Sequence, residues 1–378
     1  MWVRRLWLHD FRSYSTLDVQ LSPEFTAVVG GNGSGKTNLI EAVAWLASLS
    51  SFRGASADTL VRQDAAAAVI RAEVEREGRD LLIEAELTAS GHNRVRINRQ
   101  VLRRSRELLG ALRVTVFTPD DLVVVKGGPG ERRRFLDDAV IACDPRHDAS
   151  RIELERVLRQ RNALLKTAAG SLDDDAAFTL DVWDTKLAEV GETVVAARLD
   201  LLNRLTPLAS QAYAALSGSE RASGLELAYH SEWRAMGMAE ALRRGRANDV
   251  RRGVSTVGPH RDDVLLSLND LPARAYASQG EQRTLALALR LATHRVVTDV
   301  TGSPPVLLLD DVFSELDNDR SNALLANLPL GQMVMTTASK LPAGAKPDVI
   351  LEISDGGAHV ADSTAGGNAA DGDADVVD

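Results

Sequence analysis

The pattern of apolar and polar positions divides the chain into a strand-rich start, a helical middle and a return to strands. Residues 3–8 alternate loosely and predict a strand; Phe25–Val29 predicts a second, running straight into a glycine-rich turn. Lys36–Ser48 then predicts a helix, with Leu39, Ile40, Val43, Ala44 and Leu46 apolar. Between Val69 and Asn98, three alternating runs predict a β-meander with turns at Gly78 and near Gly91. Val114–Phe117 reads as a short strand stopped by Pro119.

From about Asp121 the texture becomes helical. Leu154, Leu158 and Leu165 fit a heptad seam, with Arg161 where the seam should continue. Trp183, Leu187, Val190, Val194, Ala197 and Leu201 repeat at alternating steps of four and three. Residues 169–175 (AGSLDDD) suit the connection between two such helices. Together they suggest a short antiparallel arm, although ordinary core helices of an α-domain show the same spacing. Strands return at 225–230 and 264–268. A helix after Ser278 and strands at Val306–Leu309 and Met333–Thr337 follow. Residues 361–378 hold five Asp and no basic residue, and are expected to form a disordered acidic tail.

Composition narrows the class. At roughly 100–200 residues per domain, 378 residues make two or three lobes with ample core. A lone Cys143 cannot form an intrachain disulfide, which points to a reducing, cytoplasmic location. No uncharged apolar stretch approaches the ~18–20 residues of a membrane span, and the N-terminus does not read as a signal peptide, so no membrane partner is expected. The net charge of -9 argues against a generally basic, nucleic-acid-binding surface. Its distribution changes that reading. The tail carries -5 and residues 171–192 carry -6, which leaves +2 for the other residues. Arginine is clustered: seven in 92–113, three in 132–134, five in 243–252. Arginine suits bidentate phosphate contacts, and residues 92–113 are the expected DNA-facing edge; solvated surface arginines are the plainer alternative.

The chemistry concentrates in three places. Gly30, Gly31, Asn32, Gly33, Ser34, Gly35, Lys36 and Thr37 match GxxxxGK[ST]. Glycines let backbone N–H groups approach phosphate, and the helix that follows presents its positive end. Lys36 is expected on the β- and γ-phosphates of ATP, and Thr37 on Mg²⁺. Val306–Leu309 leads into Asp310 and Asp311, as in a buried parallel strand ending at a ligand site. Asp310 is the expected second Mg²⁺ ligand. Asp311, on the other side of the strand by alternation, is the expected base or orienter for the attacking water. About 270 residues separate Thr37 from Asp310, and there is no [NT]KxD guanine-reading sequence, so the nucleotide domain is expected to be split by an insertion. Third, Ser278-Gln279-Gly280-Glu281-Gln282-Arg283 opens a long helix, with Ser278 well suited as its N-cap. His260, in GPHRDD, has only Asp262 and Asp263 beside it, which suits a loop position better than a metal site.

This set resembles an ABC-type ATPase head: phosphate loop, signature loop, acidic strand and, at Ser314–Asp317, a dimer-facing loop. More closely, the chain resembles the RecF family, related to Rad50 and SMC heads. The resemblance covers about residues 1–360 and rests on Asp10–Tyr14, Gly30–Asn38, Ser51–Arg53, Phe117–Leu122, Gly127–Asp137, Gly258–Asp263, Ser278–Arg283 and Leu307–Asp317. It implies an α/β, split ABC-type P-loop head with an inserted α-helical lobe carrying a short antiparallel arm. The expected parts are 1–120 (head), 121–252 (lobe and arm), 253–360 (head) and 361–378 (tail). It implies an ATP-dependent homodimer in which Ser278 and Gly280 of one subunit reach the γ-phosphate held by Lys36 of the other. Arg12 and Asn38 would lie by the nucleotide. The dimer would clamp double-stranded DNA at gaps or single-strand junctions and, with RecO and RecR, help load RecA. Several positions depart from the ABC pattern. ASQGE stands for LSGGQ, Asp311 for the usual Glu and Thr336 or Thr337 for the usual His, and no Gln-loop equivalent can be placed. These suit a slow, switch-like ATPase. The competing readings are the ATP-hydrolysing subunit of a membrane transporter, a nuclease-linked P-loop ATPase and a non-enzymatic scaffold.

Overall fold

In the computed structural model, residues 1–360 are described except 92, 169, 219–223, 339 and 355–356; the expected acidic tail lies outside the described residues. Strands β1 (Trp2–Phe11), β2 (Tyr14–Gln20) and β3 (Phe25–Val29) precede helix α1 (Lys36–Ser48). The short α2 (Ala57–Leu60) leads to β4 (Ala67–Arg76), β5 (Arg79–Thr88), β6 (Arg94–Ile97), β7 (Gln100–Val101) and β8 (Val114–Phe117). Helices α3 (Val123–Lys126), α4 (Pro129–Cys143), α5 (His147–Thr167) and α6 (Asp174–Ser217) follow. Next come β9 (Leu225–His230), α7 (Met238–Arg252), β10 (Asp263–Leu268), β11 (Leu271–Pro272), α8 (Ala273–Tyr276) and α9 (Gln279–Thr301). The described chain closes with β12 (Val306–Asp310), α10 (Asn318–Ala326), β13 (Met333–Thr337), β14 (Val349–Ser354) and β15 (Gly357–Val360).

Two six-stranded sheets frame the head. One is antiparallel, in the order β2-β1-β4-β5-β6-β7; the other runs β15-β14-β3-β13-β12-β8, parallel except for β15. Helix α1 is buried between them. Leu39, Ile40, Val43 and Leu46 pack with Leu6, Ile70 and Ile83 of the antiparallel sheet and with Val28, Leu308 and Val334 of the parallel one. The opposite face of the parallel sheet, through Ala27, Phe117, Leu307, Leu309 and Met335, packs on α4, α6 and α9. Successive residues of β12 thus feed opposite cores, which is why VLLLD is buried throughout. Buried Gln332 joins the sheets: its Oε1 accepts from Val3 N at 2.7 Å, and its Nε2 donates to Val3 O and Ser22 O.

The structure also differs from the apolar pattern. The first strand runs on to Phe11. The pattern gave no strand over Tyr14–Gln20, although Leu17 and Val19 alternate with exposed residues there. The arm is not a bare helix pair. Helices α5 and α6 lie antiparallel, tied by Arg161 to Asp184, but α7 packs on both. Leu187 and Val194 of the seam are buried, yet so are Ala188, Gly191 and Val195, because α6 faces two neighbours. Arg161, the apparent break in the α5 seam, is fully buried. Its guanidinium pairs with Asp184 and with the equally buried Asp249 of α7, each at 2.7 Å, and donates to Ser255. Helix α6 then runs on past the arm, unbroken, to pack Leu205, Ala209 and Leu216 into the head core. Pro207 within it stands on the exposed side, where the carbonyl that loses its donor can meet water.

Candidate nucleotide site

The parallel strands β3, β13 and β12 end together. Registers of Val29 with Thr337 and Thr336 with Asp310 put the phosphate loop, a threonine pair and the acidic strand end on one edge of the sheet. The loop is tightly held. A Cβ on Gly30 would come within 2.5 Å of the Ile353 carbonyl, so only glycine fits. Gly35 has φ +110, and a Cβ there would crowd Ser13 and the Tyr14 ring; the Tyr14 hydroxyl donates to Gly35 O at 3.0 Å. The hairpin Arg12–Tyr14 is therefore a brace beneath the loop. Asn38 donates to Ser13 Oγ. Arg12 makes a bidentate pair with buried Glu41, at 2.9 and 2.8 Å, and Arg53 approaches the same carboxylate at 3.8 Å.

Lys36 Nζ donates to Gly30 O and Gly31 O at 2.8 and 2.7 Å. Burial lowers its pKa, against the pull of Asp311 and Asp310. Thr37 Oγ1 donates to Asp310 Oδ1 at 2.9 Å, across 273 positions of sequence. Thr336 Oγ1 donates to the same oxygen at 2.8 Å and accepts from Asp311 N at 3.0 Å. Thr336, not Thr337, therefore occupies the position beside the acidic pair. Burial raises the Asp310 pKa, opposed by the Thr336 and Thr37 hydrogen bonds.

Asp311 departs from the expected alternation. The strand ends at Asp310, and Asp311 turns into the left-handed region at φ +51. Its direction is set by this turn and not by the pleat. Its Oδ1 is buried and has no hydrogen-bond partner, as is Ser34 Oγ in the phosphate loop. Hard oxygen donors at Thr37 and Asp310, with a buried carboxylate whose charge is costly, fit a Mg²⁺–phosphate group.

Ser278 and Gly280 stand apart. Among the described residues, neither has a hydrogen bond to the phosphate loop of its own chain. Ser278 caps α9 in a capping box: its Oγ accepts from Glu281 N at 3.3 Å, and Glu281 Oε2 accepts from Ser278 N at 2.8 Å. The Glu281 charge is thereby turned back onto the helix start, which accounts for a carboxylate inside a signature-like loop.

Much of the arginine clustering resolves into internal pairs. Arg132 is buried against Asp263, Arg133 donates to Asp262 O, Arg106 pairs with Asp148 and Arg246 with Asp181. Of residues 132–134, only Arg134 remains exposed, 3.8 Å from Glu131. Arg94, Arg99, Arg103 and Arg104 are exposed and have no ion pair among the described residues. His260 holds Ser255 O, and burial lowers its pKa to about 4. Sequence reasoning did not single out Tyr14's contact with Gly35, or Glu41. An aromatic hydroxyl in a hairpin and an acid inside an apolar helix carry no local signal of the loop they support.

These features define a P-loop ATPase head of the kind shared by RecF, RecN and SMC proteins. The RecF/RecN/SMC N-terminal domain family matches residues 2–339. "DNA replication and repair protein RecF" of Streptomyces avermitilis is 46% identical over 351 residues, covering 90% of this chain and 94% of the relative. Its counterpart in Kineococcus radiotolerans is 44% identical over 365 residues, covering 90% and 93%. The chain belongs to the RecF family. A solved recombination mediator protein RecF with ATP, in the RecFOR pathway, superposes with a TM-score of 0.87 at 29% identity, covering 96% of this chain and 98% of that one. An SMC head bound to a winged-helix domain of ScpA shares the fold, with a TM-score of 0.55 at 17% identity, covering 96% and 98%. No described helix is long and apolar enough to cross a membrane.

Proposed function

We propose that the chain is a DNA replication and repair ATPase of the RecFOR pathway: an ATP-gated, dimerising DNA clamp that turns over slowly. The observation that carries this is the Thr37–Asp310 hydrogen bond, which assembles a phosphate loop and an acidic strand end from opposite ends of the chain. Thr37 and Asp310 would hold Mg²⁺, which supplies charge neutralisation at the phosphates. Lys36 neutralises the γ-phosphate, and Asp311 aligns the water from its constrained turn. Among the described residues, Ser278 and Gly280 make no hydrogen bond to their own chain's loop, which supports a role for them in a second subunit's site. Helices α5, α7 and the first part of α6 form the arm, and RecR, with RecO, is the expected protein partner for RecA loading on gapped DNA. The reading is tested by ATP-dependent dimerisation with and without gapped duplex DNA. A chain that stays monomeric in both overturns it.

Two narrower results follow. Thr336→Val keeps the side-chain shape and removes both hydrogen bonds to the acidic pair. ATP turnover should fall roughly 10- to 100-fold, ATP affinity should change little, and Thr336→Ser should restore most of the rate. Steady-state kinetics of the two variants check this. Replacing Arg94, Arg103 and Arg104 with Gln removes three unpaired charges. DNA binding should weaken, and the slope of log affinity against log salt should flatten by up to about 2.7 for duplex DNA. An unchanged slope would remove these residues from the interface.

A further inference from the structure

A cation stands beside the serine–glycine loop. Arg320, in the first turn of α10, lays its guanidinium against Gly280: a Cβ there would lie 2.6 Å from Nη2 and 3.0 Å from both Cζ and Nη1. A side chain at 280 would push the end of Arg320 away from the start of α9, so glycine is what lets the guanidinium lie there. Arg320 Nη1 is held by Asp317 Oδ2 at 2.7 Å, and Asp317, as N-cap of α10, also accepts from Arg320 N. That pairing fixes one arm of the fork. Nη2, the atom nearest Gly280, has no hydrogen bond among the described residues, and the side chain stays 37% exposed. The other arginine of this face, Arg283, is committed to Glu315, by a 3.0 Å ion pair and a hydrogen bond to its carbonyl.

The placement gathers opposite charges at the start of α9. The start of α9 is a positive helix end, and the guanidinium beside it is offset by Asp317, bonded to it, and by the Glu281 carboxylate turned back onto the same helix start. A phosphate arriving at Ser278 would still find Nη2 free of any hydrogen bond among the described residues. It would meet a hydroxyl, a helix N-terminus and a planar fork suited to phosphate oxygens.

We propose that Arg320 is a catalytic residue supplied in trans, contacting the γ-phosphate bound by the other copy's Lys36; this rests on the dimer reading above. In hydrolysis, a water oxygen bonds the γ-phosphorus as the bond to the β,γ-bridging oxygen breaks, and the electron pair leaves on ADP. One water proton stays on the released phosphate and the other passes to solvent. Arg320 exchanges no proton. It balances the charge that develops on the phosphoryl oxygens, a role worth orders of magnitude in rate where a trans arginine is used.

The test mixes two variants. Arg320→Ala keeps its own phosphate loop and loses the trans cation; Asp311→Asn keeps Arg320 and loses its own water-aligning carboxylate. Arg320→Ala alone should turn over at least about tenfold more slowly than the unaltered chain while still dimerising on ATP, and Arg320→Lys should be intermediate. Mixed in equal amounts, half of the dimers carry one complete site, so turnover should rise to about a quarter of the unaltered rate, well above the sum of the variants measured alone. Turnover by Arg320→Ala equal to the unaltered chain, or a mixture no faster than that sum, overturns the inference. Failure of the unaltered chain to dimerise on ATP overturns the dimer reading itself.

Discussion

A Lys36→Ala chain is expected to stay monomeric when ATP is added, under conditions where the unaltered chain dimerises. Lys36 Nζ sits at the loop mouth between Gly30 O and Gly31 O, mostly withdrawn from water, with Asp310 and Asp311 as the nearest acids. A phosphate bound there would be shielded from solvent, so losing its cation leaves buried negative charge unpaired. Truncating one member of such a pair costs about 2–5 kcal/mol, or roughly 30-fold and upwards in ATP affinity. Equilibrium ATP binding and light scattering report the two effects separately. An ATP-dependent dimer formed by the variant would show that phosphate capture does not drive closure. The fold should survive, since the loop is also braced by Tyr14, Ser13 and the Ile353 carbonyl.

Arg161→Ala should have the largest effect on stability. Arg161 and Asp249 are both fully buried, and the network extends to Asp184, to Ser255 and through it Asn162, and from Asp249 to Thr256. Removing the guanidinium strands Asp249 inside the lobe. The expected cost is about 3–5 kcal/mol, read as a lower denaturation midpoint. The double variant Arg161→Met with Asp249→Leu removes both charges and should recover much of that loss, because a buried pair contributes little beyond offsetting its own desolvation. If the single variant unfolds at the unaltered midpoint, the network does not hold the lobe together.

The site was legible in sequence where chemistry is written in contiguous residues. The phosphate loop and Asp310 announce themselves because each must sit at the end of a strand or the start of a helix, and Ser278 was legible as the N-cap of α9. Other features depended on tertiary neighbours. Asp311 could not be placed by alternation, because the strand stops one residue earlier and the chain turns left-handed. Arg132 looked like part of an exposed basic run, yet Asp263, 131 positions away, draws it into the core. The heptad seam identified the helices of the arm but not α7, whose five arginines obscure its apolar face of Met238, Ala241 and Leu242.

Helix α6 gives the molecule a lever. Its 44 residues span about 66 Å at 1.5 Å per residue. One end is bedded against α9, which Ser278 caps; the other carries the acidic tip of the arm. With no break between them, the roughly 40 Å that project beyond the head core would carry the tip about 3.5 Å for a tilt of about 5°. A tilt of the bedded end would thereby be enlarged toward the point farthest from the chemistry.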